Sequence, residues 1–209
     1  MTQNQSGATP WEFESPSRHF MYINNKKSIA YIIGVALGDG NLSNSNKRAT
    51  RLRITCDKKY PQLSRHIISQ LSLVFPKNKV STVNRIGCID ISVHSNDLEG
   101  LLGWKALYGS KMKQKVKIPL WIKAHKTYTK LCLLGLFQTD GSIYYDRKYI
   151  MVNFTSIIKP LIKDVSELIN GLGYRVKARK IIERGRTKYV IRISKNVENF
   201  ISNIKLWKK

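Results

Sequence analysis

The sequence predicts an α+β protein in which one helix–β–β–helix–β–β–helix unit is written twice, giving two pseudo-symmetric αββαββα subdomains. Three observations predict it. Two apolar, helix-like runs, IIGVALGDG (32–40) and LLGLFQTDG (133–141), each end on Asp-Gly. The same order of strand-like and helix-like segments follows each run. Matching landmarks recur at matching distances: Thr55 and Thr155 lie 16 and 15 positions beyond Asp39 and Asp140, and Asn96 and Asn196 lie 57 and 56 beyond them. Agreement of order and spacing is the signature of internal duplication.

The elements can be justified in order. Residues 1–27 lack apolar periodicity and read as a leader, with Trp11 or Phe13 docking on the body; Ser28 suits a helix N-cap. The first subdomain, 28–102, continues with the alternating strand RLRITCD (51–57). An amphipathic helix follows, with Leu63, Ile67, Leu71 and Val74 on one face, then strands KVSTVN and CIDISVH and a short helix opening at Asn96. Residues 103–130 form a basic linker with eight lysines and a short helix after Pro119. The second subdomain, 131–209, repeats the plan with YIMVNFT, a helix bearing Leu161, Val165, Leu168 and Leu172, strands YRVKARKII and KYVIRIS, and a last short helix.

The aspartate ending each apolar run is the unexpected residue. A carboxylate there faces the negative end of the helix macrodipole, at a cost of up to about 1 kcal/mol. The glycine after it suits a left-handed C′ position. Gly34 and Gly38, and at the matching places Gly135 and Thr139, put small residues on one helix face, so the two helices can pack backbone to backbone. Asp39 and Asp140 then meet side by side. Two carboxylates and nearby helix-end carbonyls need a cation, and an all-oxygen set suits Mg²⁺ or Mn²⁺.

Each predicted sheet buries one face and exposes the other. The exposed set includes Arg51, Arg53, Thr55, Ser92 and His94 in the first half, and Arg175, Lys177, Arg179, Lys188 and Arg192 in the second. Basic, hydrogen-bonding ribbons of this kind fit the major groove of double-stranded DNA. The chain carries 37 basic and 13 acidic residues in 209, a net charge of +24, which also points to a polyanionic partner. No apolar run approaches the ~20 residues of a membrane span. Cys56, Cys88 and Cys132 form no C-x-x-C pair, and His19, His66, His94 and His125 lack metal-ligand spacing. An intracellular, reducing location, cytoplasmic or organellar, is the expectation.

IIGVALGDG and LLGLFQTDG resemble the LAGLIDADG motif of homing endonucleases, and the likeness of element order extends over residues 29–206. Leu37 and Gln138 depart from the motif where its first Asp would lie; the final Asp is kept in both copies. The resemblance implies a monomer shaped as a saddle over DNA, with the motif helices at the interface between subdomains. It implies Asp39 and Asp140 as metal-binding catalytic carboxylates, with the carbonyls of Gly38 and Thr139 as further metal ligands. It also implies a lysine near the scissile phosphate: Lys113, with Lys115 as reserve, and Lys205 as the counterpart. The implied activity is a metal-dependent double-strand break in a long asymmetric target. The alternatives on this scaffold are an intron RNA maturase, with intron RNA as partner, and a catalytically inactive DNA-binding protein. Regulators of the latter type append a helix-turn-helix module, and only Lys205–Lys209 follow the last predicted helix.

Overall fold

The computed structural model describes residues 16–44, 48–183 and 185–208, with residues 16–24 described by backbone alone. The expected docking of Trp11 or Phe13 lies outside the described residues. The first half comprises α1 (Pro16–Asp39), β1 (Gly40–Ser43), β2 (Thr50–Asp57), α2 (Pro61–Val74), β3 (Ser81–Asn84), β4 (Cys88–Ser95) and α3 (Leu98–Leu102). After α4 (Leu120–Lys123), the second half comprises α5 (Lys126–Thr139), β5 (Gly141–Asp146), β6 (Tyr149–Ser156), α6 (Lys159–Gly171), β7 (Val176–Glu183), β8 (Arg186–Ile193) and α7 (Val197–Asn203). Each half forms a four-stranded antiparallel sheet of the same topology, β1-β2-β4-β3 and β5-β6-β8-β7. The doubled αββαββα plan is therefore the observed fold.

Strand alternation sorts the layers. Leu52, Ile54, Ile91 and Val93 bury one face of the first sheet, and Val152, Phe154, Ile191 and Ile193 bury the equivalent face of the second. The amphipathic helices add Leu63, Ile67 and Leu71 from α2, and Leu161, Val165 and Leu168 from α6. Between the halves stand α1 and α5, which are buried on every side: Ile29 through Val35 and on to Leu37, and Cys132 through Phe137. A helix apolar all round belongs at the centre of a core.

The α1–α5 seam works through missing side chains. A Cβ on Gly34 would sit 2.1 Å from the Cys132 carbonyl oxygen, and one on Gly135 would sit 2.5 Å from that of Tyr31. A Cβ on Gly38 would collide with Thr139 Oγ1 at 2.0 Å. The four-residue spacing of small residues thus places both helix ends together.

Three sequence expectations change. The first helix starts at Pro16, not at Ser28, which is buried inside it. Proline suits the first helical turn, and no proline or glycine interrupts the chain from there to Gly34. Asp97 rather than Asn96 is the N-cap of α3. Gly40 and Gly141 are not left-handed. They are required because the chain folds straight back into a strand: a Cβ would stand 2.5 Å from the Ala36 carbonyl oxygen and 2.3 Å from that of Phe137.

The connecting segment is bound into the core by Val116, Ile118 and Ile122. The buried carboxylate of Asp164 on α6 accepts a hydrogen bond from the Ile118 amide at 2.8 Å and an ion pair from Lys123.

Candidate active site between the motif helices

Asp39 is the last residue of α1 and Asp140 caps α5. The Asp140 Oδ2 lies 3.5 Å from where a Cβ on Gly38 would be, so its carboxylate sits against the end of the opposite helix. Burial pushes the Asp140 carboxyl up to about 6, and the charge of Asp39 pushes in the same direction. Asp39 is the more open of the two, yet the surrounding protein still raises its pKa. Lys111 and Lys208 oppose both shifts.

Those two lysines complete the site. Lys111 Nζ donates to the carbonyl oxygens of Ala36 and Leu37, at 3.1 and 2.7 Å, and to that of Gly38. Lys208 Nζ donates to the carbonyls of Thr139 and Gly141 at 3.2 and 3.3 Å, and lies 5.2 Å from the centre of the Tyr60 ring. Each ammonium occupies the negative end of one helix, which offsets the unfavourable placement of the aspartates. Burial lowers Lys111 to about 8, against the pull of Asp140 and Asp39.

The lysines named from sequence do not occupy these places. Lys113 is exposed, its amide donating to Ser110 Oγ at 3.3 Å. Lys115 and Lys205 both have positive φ, 50° and 54°, and close helical turns with their own backbone. Lys111 and Lys208 lie 72 and 68 positions beyond their aspartates, a closer agreement than the 74 and 65 of Lys113 and Lys205. Gly38 and Thr139 do present carbonyls at the site, each already accepting from a lysine.

The two carboxylates fit a divalent cation of the magnesium type. Among the described residues no group of three or more His, Cys, Asp or Glu is placed to hold a metal. An ion here has two carboxylates and must finish its shell with carbonyls, water or a phosphate, which is how Mg²⁺ is usually held. The aspartates also set a pH dependence. Because the folded pKa of Asp140 is raised, its ionisation destabilises the fold progressively as pH climbs from about 4 to 6. Asp140→Asn is therefore expected to raise the metal-free Tm at pH 7, by an amount equivalent to about 1–3 kcal/mol, and to change it little below about pH 4. Calorimetry across that range checks this. Added Mg²⁺ should raise the Tm of the parent chain and not that of the variant.

The outer sheet faces flank the aspartates. On the first sheet Arg51 pairs across to His94, and Arg53 to Ser92, with Asn41 and Ser43 continuing the same rows. Thr55 donates to the buried Asp90 at 2.6 Å, and Arg85 pairs with that same carboxylate. On the second sheet Lys177 and Asn153 both pair with Arg192, and Arg179 pairs with Val190. Arg175 lies just before β7, exposed. Lys188 is ion-paired to Glu183 at 2.8 Å and lines a cavity of about 320 Å³ with Gly38, Lys111, Asp140 and Thr155. A larger cavity, about 1030 Å³, opens between α3, residues 114–119 and the start of α6; neither motif aspartate lines it. No helix among the described residues is long and apolar enough to cross a membrane.

Two fused αββαββα units, whose central helices deliver one aspartate each to a shared point beside two basic sheets, define a two-repeat LAGLIDADG-fold protein. Residues 128–205 match the LAGLIDADG-like domain family. The family match thus falls on the second of the two repeats. The fold matches that of the homing endonuclease I-DmoI, in a structure with DNA and Mn, with a TM-score of 0.66 at 22% identity, covering 87% of this chain and 97% of that one. It also matches full-length DUF199/WhiA from Thermatoga maritima, TM-score 0.60 at 14% identity, covering 88% of this chain and 56% of that one. A curated relative, the tRNA-splicing ligase RtcB of Methanopyrus kandleri, is 22% identical over 201 residues. That match covers 85% of this chain, which spans about a fifth (20%) of the ligase.

Proposed function

We propose that this chain is a site-specific DNA endonuclease, cutting both strands of a long asymmetric duplex target with the help of Mg²⁺ or Mn²⁺. The observation that carries this reading is the pair Asp39 and Asp140, each with its own lysine, at the junction of two basic sheet faces. Both halves lie in one chain and differ in sequence, which suits a monomer reading a target without strict two-fold symmetry.

In this reading the arginines and lysines of the two sheets neutralise phosphates and meet base edges in the major groove. Asp39 and Asp140, with the carbonyls of Gly38 and Thr139, would hold the divalent ions. A bound divalent ion supplies charge neutralisation at the scissile phosphate and makes a water more acidic. Lys111 and Lys208 place a positive charge beside each reacting phosphate. Lys111, held near pKa 8, can give up or accept a proton at Nζ close to neutral pH.

Incubation with a plasmid library of candidate targets and Mg²⁺ tests the proposal. Linear product that disappears with EDTA is expected, together with binding that weakens by roughly 10³-fold or more between 50 and 200 mM salt. Persistently intact plasmid under saturating binding would make the chain a DNA-binding protein instead. Accelerated folding of an intron RNA, with no DNA cut, would make it a maturase.

A further inference from the structure

We infer that Gln138 is a positioning residue: it latches the C-terminal tail across the two halves and so sets Lys208 against the aspartates. The inference rests on the endonuclease reading for its consequence but not for its geometry. Gln138 stands where the LAGLIDADG pattern has an acid, and it is 1% exposed. Its Oε1 accepts from Tyr31 Oη at 2.7 Å, and its Nε2 donates to the Trp207 carbonyl at 3.0 Å. The orientation of the amide is fixed, because the Trp207 carbonyl can only accept. Tyr31 is itself buried, which pushes its pKa up and keeps the hydroxyl a donor.

The latch has an aromatic side. The His66 ring of α2 lies edge-on between Tyr31 and Trp207, with centroid separations of 4.8 and 5.6 Å. Elements of the first half (α1 and α2), the motif helix of the second half and the tail thus meet at Gln138. The very next residue after Trp207 is Lys208, whose ammonium lies on the Thr139 and Gly141 carbonyls. Among the described residues no equivalent latch serves Lys111, since the matching motif position is the buried Leu37. Lys111 is placed by the turn at 110–115 instead, where Val116 N bonds back to its carbonyl. One lysine is therefore set locally and the other through a long-range latch, so damage to the latch acts on one side of the site.

Gln138→Met keeps length and apolar bulk but removes both hydrogen bonds. Amine labelling of Lys208, read by mass spectrometry on the full chain, should rise roughly tenfold in Gln138→Met, less in Tyr31→Phe, and not at all at Lys111. On target DNA, Gln138→Met should shift product toward nicked circle without changing binding affinity. The double variant Gln138→Met/Lys208→Met should cut no slower than Lys208→Met alone. Unchanged Lys208 labelling, or rate losses that multiply in the double variant, would overturn the latch. Labelling decides it even in a chain that cuts no target, which keeps failure of the latch distinct from failure of the endonuclease reading.

Discussion

Asp140→Asn is expected to abolish double-strand cleavage, with a rate loss of roughly 10³-fold or more, while DNA affinity holds or improves. The sign on binding follows from charge: removing a carboxylate from a surface facing phosphates weakens nothing electrostatic. The size of the catalytic loss follows from the chemistry at stake. A divalent ion at a scissile phosphate supplies several kcal/mol of transition-state stabilisation, and each 1.36 kcal/mol is tenfold in rate. An amide of the same shape offers neither the charge nor a strong ligand oxygen. Asp39→Asn should behave alike, since the charge of Asp39 raises the Asp140 carboxyl, which requires that both face one space. Supercoiled, nicked and linear plasmid, separated on a gel over time, give the answer. Linearisation at near-parental rate in either variant would remove these acids from the chemistry and leave their joint placement without a role. The combination expected here, lost cutting with a higher metal-free Tm at neutral pH, is hard to produce by misfolding. A destabilised variant would lose both.

How much of this was legible beforehand differs between the repeat and the irregular segments. Periodicity of 3.6 and of 2 placed the helices and strands, and Leu63, Ile67 and Leu71, or Leu52 and Ile54, are buried as the patterns require. The spacing of Gly34 and Gly38 against Gly135 and Thr139 carried the helix seam, because steric exclusion is written directly in residue size. The lysines were not legible the same way. Between Gly103 and Pro119 no period operates, and which lysine turns inward depends on a turn closed by Lys115 in the left-handed region. Gln138 read only as a departure from a motif. Its partners, Tyr31 and Trp207, stand 107 and 69 positions away, and only the folded chain joins them. Ser28 suits an N-cap in isolation, but its burial against the core puts it inside α1, which starts at Pro16.

The second large effect is expected at Gly135. Alanine there would place Cβ 2.5 Å from the Tyr31 carbonyl oxygen, 2.7 Å from the Val35 nitrogen and 3.1 Å from the Gly34 carbonyl carbon. All three are backbone, so no rotamer change relieves the contact and the helices must part by the better part of an ångström. Alanine gains about 1 kcal/mol of helix propensity over glycine, which opposes the loss. Overpacking against immovable backbone costs roughly 3 kcal/mol or more, and wins. For a chain of this size that lowers Tm by several degrees, in the range of about 4–12 °C. Gly38→Ala differs in kind, because its collision is with the Thr139 side chain. Thr139→Gly should restore most of what Gly38→Ala loses, whereas no side-chain change should restore Gly135→Ala. Gly100→Ala in α3 has open space around it and supplies the opposite sign, a small gain of up to about 1 kcal/mol. Cleavage should fall with the seam, since an ångström of misplacement at reacting groups costs on the order of 10²-fold. If Gly135→Ala melts with the parental chain and cuts at its rate, close contact of the two motif helices is not what brings Asp39 and Asp140 together.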